Sequence, residues 1–133
     1  MSTAWQPFRE GSTIGRPGPE SATIIRDEYV ETDGIRITLE VGSEQAWINC
    51  VCPYMFHSRR FDSRAAGEAA YEEMKPALIA LQVEVRAEVE TGGSGGRACE
   101  RFVERFPYTP IFALDDPRGW RRRIDDEGTR SGR

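Results

Sequence analysis

The chain has 133 residues, enough for one domain whose core can fold without disulfides. Apolar residues make up 38% and charged residues 30%, which points to a compact middle with polar ends. A formal net charge of -4 argues against a broad nucleic-acid footprint, which needs a basic face.

No apolar run approaches the roughly 20 residues needed to cross a bilayer. Met1–Trp5 has no positive start followed by an apolar stretch, so no secretory signal is expected. The chain carries three cysteines, an odd number, and reduced thiols in a cytoplasmic setting are the simpler expectation.

Residues 1–22 hold Gly11, Gly15, Pro17, Gly18 and Pro19 among few apolar groups, and read as a flexible arm with Trp5 and Phe8 as anchors. A single domain is expected over 23–106. Thr23–Thr32 is rich in β-formers but mixed in pattern, as in an edge strand. Asp33-Gly34 is a two-residue hairpin signal, because both residues tolerate positive φ. Ile35–Val41 alternates: Ile35, Ile37, Leu39 and Val41 face one side and Arg36, Thr38 and Glu40 the other. Gly42-Ser43-Glu44 makes a turn. Gln45–Cys52 then puts Ala46, Ile48, Cys50 and Cys52 on one face, with Trp47, Asn49 and Val51 on the reverse. Met55–Phe61 follows Pro53-Tyr54 as a fourth strand.

Asp62 or Ser63 can cap a helix by accepting from its free first-turn N–H groups. Ala66, Ala70, Met74, Leu78, Leu81 and Val85 recur at helical spacing, with a kink or break expected near Lys75 because Pro76 lacks an N–H. Residues 82–90 fit two patterns, alternation as in a strand and continuation of the helical stripe through Val89. Gly92–Gly96 reads as a flexible linker and Ala98–Phe106 as a short amphipathic helix ended by Pro107. Residues 107–133 read as a largely irregular charged tail. The expected fold is α+β: a four-stranded antiparallel meander, one long helix on one face, and a short C-terminal helix.

The motifs Arg36-Ile37-Thr38-Leu39-Glu40, Met55-Phe56-His57-Ser58-Arg59-Arg60-Phe61 and Ala70-Tyr71-Glu72-Glu73-Met74-Lys75 resemble a group of small uncharacterised bacterial proteins. The resemblance implies a small sheet followed by a helix, and brings no activity with it.

Cys50, Cys52 and the single histidine, His57, form the one cluster with transition-metal or thiol chemistry, and Cys99 could supply a fourth ligand. Zinc sites place paired cysteines in turns, whereas Cys50 and Cys52 lie in mid-strand and read as core. Whether His57 shares their face depends on the loop at Pro53. Two or four loop residues keep the cluster together, and three separate it. The fixed φ of proline argues against a two-residue primed turn. Gly92–Gly96 lacks the order of a phosphate loop. Gly119–Arg123 is a short basic run among acidic residues, as in a solvated tail.

A single long helix covers one face of a sheet, so Trp47, Val51 and Arg60 are expected to line a contact surface. The function expected is non-enzymatic, with no cofactor: a small module that binds a protein partner or its own copy, with no membrane or nucleic-acid partner. The alternatives are a metal- or thiol-dependent protein using Cys50, Cys52 and His57, and an acidic inhibitor or immunity-type protein.

Overall fold

Four consecutive antiparallel strands lie between Thr23 and Phe61, and a short strand ahead of them makes five in the order β1-β2-β3-β4-β5. The computed structural model describes residues 5–109. The strands are β1 (Gln6–Pro7), β2 (Thr23–Val30), β3 (Ile35–Val41), β4 (Ala46–Cys52) and β5 (Met55–Phe61). Two helices follow, α1 (Arg64–Glu90) and α2 (Gly96–Arg105).

The expected count of four strands is therefore corrected to five. Residues 5–22, expected as a flexible arm, lie along the sheet. Gln6 and Pro7 pair with Tyr29 and Glu28. The Phe8 ring meets Tyr29 edge-on at 5.4 Å, and the Arg36 guanidinium sits 3.7 Å from its centroid. Further on, Gly15 N–H donates to Ile24 O at 2.8 Å and Ile24 N–H to Arg16 O at 2.9 Å. A strand of two residues has no alternation to read, so only its aromatic anchor was legible.

The mixed pattern of β2 has a cause in its pairing. Ile24 pairs with Glu40 but Arg26 pairs with Leu39, so the register shifts by one residue at Ile25. Such a bulge moves later side chains to the opposite face. Arg26, Glu28 and Val30 thus join Leu39, Ile37 and Ile35 on the helix side, while Asp27 and Tyr29 join Thr38 and Arg36 on the reverse. On the helix side, Arg26 pairs with Glu72 at 2.8 Å and Lys75 with Glu28 at 3.1 Å. The buried Tyr71 hydroxyl donates to Glu28 at 2.8 Å. These contacts fasten α1 to β2 at the edge of the core.

Two turns differ from their sequence signals. Asp33-Gly34 does not close a two-residue hairpin. Glu31–Asp33 form a 3-10 turn, Gly34 takes φ 69°, and Val30 pairs with Ile35 across a four-residue link. Conversely, the Pro53 loop does hold only two residues, since Cys52 pairs directly with Met55. Neither Pro53 nor Tyr54 has positive φ, so the loop is not one of the primed turns that proline forbids.

Ser63 caps α1, its hydroxyl accepting from Ala66 N–H at 3.1 Å. Ala70, Tyr71, Met74, Leu78, Leu81 and Val85 form the buried stripe against Ile35, Ile37, Leu39, Ile48 and Cys50. The helix runs past Pro76 without a break and includes residues 82–90. Val85 is buried while Val83 and Val89 are 59% and 53% exposed, so the helical stripe holds as far as Val85 and the strand-like alternation is not used. Residues 92–96, expected as a flexible linker, form a tight reversal. Gly95 has φ 90°, and a Cβ there would lie 2.8 Å from Val85 Cγ1.

Helix and sheet approach closely at Gly67. A Cβ at that position would stand 2.6 Å from Ala46 Cβ, and both atoms are fixed to backbone. Alanine gains about 1 kcal/mol in helix propensity over glycine, while overpacking a core costs about 1–3 kcal/mol. Gly67→Ala is expected to lower stability by a net of up to ~2 kcal/mol in urea titration. A gain in stability would show that α1 can lift from the sheet.

Candidate functional site

The two-residue loop brings His57 directly opposite Cys50, on the helix side of the sheet. Proximity does not make a reaction centre here. Both side chains are buried, at 2% exposure for Cys50 and 1% for His57. Burial pushes the Cys50 thiol well above its ordinary value, neighbouring Cys52 adds to this, and Arg59 opposes it only partly. Burial also raises the Cys52 thiol, which donates weakly to Met55 O at 3.7 Å. Cys99 lies on α2 and is likewise raised, chiefly by burial. A thiol nucleophile needs the reverse shift. Among the described residues, no three His, Cys, Asp or Glu side chains gather as a group that could hold a metal ion.

His57 acts instead as a pin for the chain after α2. Its Nε2 lies 2.7 Å from Phe106 O. A carbonyl only accepts, so Nε2 carries the proton and Nδ1 keeps a lone pair. Phe102 and Tyr108 meet the imidazole edge-on at 5.4 and 6.0 Å. Among the described residues, Nδ1 has no hydrogen-bond partner and is buried.

The reverse face of the sheet carries the three residues expected as a contact surface. Trp47 stands opposite Arg60, and Val51 opposite Phe56. Between these rows lie Asn49 and Ser58, whose Ser58 hydroxyl donates to Asn49 Oδ1 at 2.7 Å. Both are buried, so Trp47 and Arg60 at one end are separated from Val51 at the other. Arg60 is exposed, Trp47 is half-buried, and Val51 is 46% exposed.

Residues 13–22 cover the β2–β3 half of this face, and two carboxylates hold them there. Glu40 has no exposed surface. Its carboxylate accepts from Glu20 N–H at 3.1 Å, from Ala22 N–H at 3.2 Å and from Asn49 Nδ2 at 3.4 Å. Asp27, also buried, accepts from Arg36 Nε and Nη2 at 2.9 and 2.8 Å and from Thr13 Oγ1 at 2.8 Å. Gly18 passes so close to Glu40 that a Cβ would stand 2.3 Å from its carboxyl carbon. Sequence alternation put Glu40 on the outer face but could not show what covers it. The stiff Pro17-Gly18-Pro19 run was the available signal.

A groove of 240 Å³ remains between this loop and the β4–β5 half. Pro17, Pro19, Val51 and Phe56 supply apolar walls, Thr38 and Asn49 polar ones, and Arg16 and Arg36 also line it. A second hollow of 420 Å³ lies at the other end, around Trp47, the Gly42–Gln45 turn and Asp62. The candidate basic run 119–123 and the aromatic residues Phe112 and Trp120 fall outside the described residues.

Comparison with protein-family models, with curated proteins and with solved structures finds no match for this chain. Among the described residues, no helix is long and apolar enough to cross a membrane.

Burial depresses the basicity of His57, the Arg59 charge adds to this, and the bond to Phe106 opposes it. The unfolded chain therefore binds a proton more readily than the folded one. The contribution of neutral His57 is complete above the ordinary value of 6.5 and is lost as pH falls below it. Urea titrations from pH 7.5 down to about 5.5 should show falling stability in the wild type and a flatter profile in His57→Gln. Equal slopes in both proteins would remove His57 from the account.

Glu40→Gln keeps the shape but turns an acceptor into an amide whose N–H₂ faces donors. Hydrogen bonds to charged groups contribute about 1.5–3 kcal/mol, and Glu40→Gln is expected to cost about that much on denaturant unfolding. An unchanged midpoint would mean that the loop does not depend on the charge.

Proposed function

We propose that the protein is a non-enzymatic interaction module that binds another protein through the reverse face of its sheet. The observation that carries this reading is the division of the two faces. Potentially reactive Cys50 and His57 are sealed beneath the helices, while Val51 and Arg60 stay accessible beside shaped hollows. A half-exposed apolar wall ringed by polar groups is the usual form of a contact surface. Trp47 adds a large rigid side chain of the type enriched at binding hot spots.

The partner is a protein or a second copy of this chain, met in the cytoplasm, where free thiols such as Cys50, Cys52 and Cys99 persist. The two-ended surface favours an occupant that spans from Val51 to Trp47, such as an extended segment along β4. A tightly packed single anchor would find no common pocket there.

Partners captured from the native source by wild-type protein should be depleted at least tenfold by Val51→Asp and by Trp47→Ala. A loss of that size corresponds to about 1.4 kcal/mol of binding free energy. Light scattering on the same proteins reads the self-association arm as a doubled mass that both variants abolish. Equal capture and equal mass in wild type and variants would overturn the assignment of this face.

A further inference from the structure

Two adjacent residues of β5 hold the chain that leaves α2. His57 Nε2 lies 2.7 Å from Phe106 O, and Thr109 N–H donates to Ser58 O at 2.8 Å. The same stretch of chain seals the imidazole, which the rings of Phe102 and Tyr108 meet edge-on and which is 1% exposed. A second proton on this ring would go to Nδ1. That atom is buried and, among the described residues, has no hydrogen-bond partner. The charges packed around it do not help. Arg59 acts on the imidazole from the same strand, and its guanidinium lies 5.4 Å from the Phe106 ring centroid. Arg105, at the end of α2, lies 4.8 Å from that centroid. Opposite on β4 stands the Cys50 thiol, which burial keeps neutral. Glu73 on α1 acts on Arg59.

We propose that His57 is a proton-operated latch, whose protonation frees residues 106–109 from β5 and opens the outer edge of that strand. The closed arrangement admits only the neutral ring, because a buried charge without a partner costs several kcal/mol. Burial holds the closed ring below the ordinary value of 6.5; the bond to Phe106 opposes this and Arg59 adds to it. Once the chain lifts, water reaches the imidazole and the ordinary value returns. The open form therefore binds more protons, and acid favours it. Opening breaks the bonds at His57 and Ser58 and uncovers the Phe106 ring, while β3 keeps its pairing with β2 and β4. Partial openings of this kind need less free energy than unfolding. They uncover Ser58 O, a mid-strand carbonyl on which another strand can pair.

The latch is independent of the contact surface on the reverse face, and amide hydrogen exchange on the full chain tests it. Thr109 should exchange through an opening smaller than unfolding, with less protection than the β3 amides. Its protection should fall by up to about tenfold from pH 7.5 to 5.5, the limit for one proton taken up at 6.5. His57→Gln keeps a donor for Phe106 O but does not titrate, and should leave Thr109 protection independent of pH. In the wild type alone, the His57 ring signals should titrate while the β3 amide shifts stay native. Thr109 protection that ignores pH in the wild type, or falls equally in His57→Gln, overturns the proposal. So does an imidazole that charges only as the whole spectrum collapses.

Discussion

A carboxylate without exposed surface is the constraint on which this fold's second face depends. Glu40 sits mid-sheet, and its charge is met by the backbone N–H groups of Glu20 and Ala22. An unpaired buried charge costs several kcal/mol, so β3 and the residue 13–22 loop must come together or not at all. Gly18 permits the approach because a side chain there would overlap the carboxyl group. The loop so fixed becomes one wall of the groove. Without Glu40 the sheet would keep its helix side but lose the relief on its reverse.

The bulge at Ile25 serves the same end from the neighbouring strand. It rotates Asp27 onto the reverse face, where Arg36 and Thr13 meet it, and leaves Glu28 on the helix side for Tyr71 and Lys75. One irregularity therefore decides which of two adjacent carboxylates goes to which layer. The buried Asp27 ties down the loop, and Glu28 ties down the long helix. The helix side of this small sheet is held by polar contacts at β2 and by apolar packing at its centre, and the reverse face by polar contacts.

Much of the layout was legible in residue pattern. Ile35–Val41 alternates apolar and polar residues over its full length, Met55–Phe61 reads as the strand after the Pro53 break, and the helix stripe through Met74, Leu78 and Leu81 is regular. What was not legible depended on contacts between distant segments. Gln6–Pro7 is a strand only because Tyr29 and Glu28 offer it an edge. Gly92–Gly96 has a linker's composition, yet Val85 lies against Gly95 and turns it into a fixed reversal. At Pro53 the rule about primed turns was sound but incomplete, since a two-residue loop formed without positive φ. The length of that loop decides the side of His57, which residue pattern alone left open. That Trp47, Val51 and Arg60 share the reverse face follows from strand pattern, but the buried Asn49–Ser58 row that divides them does not.

The bond from Thr109 to Ser58 also bears on how the sheet ends. Open strand edges present unpaired backbone groups that recruit other chains. Here Gln6–Pro7, the bonds of Gly15 and Arg16 to Ile24, and the Pro17–Thr23 bridge cover the β2 side, and Thr109 occupies a carbonyl at mid-β5. Phe106 and Thr109 thus form a stopper as much as a link to the C-terminal segment. A cut between Phe106 and Thr109 would separate the buried anchor from the bond at Ser58 and uncap the outermost strand. An edge so uncapped is the kind on which strands of other chains can pair.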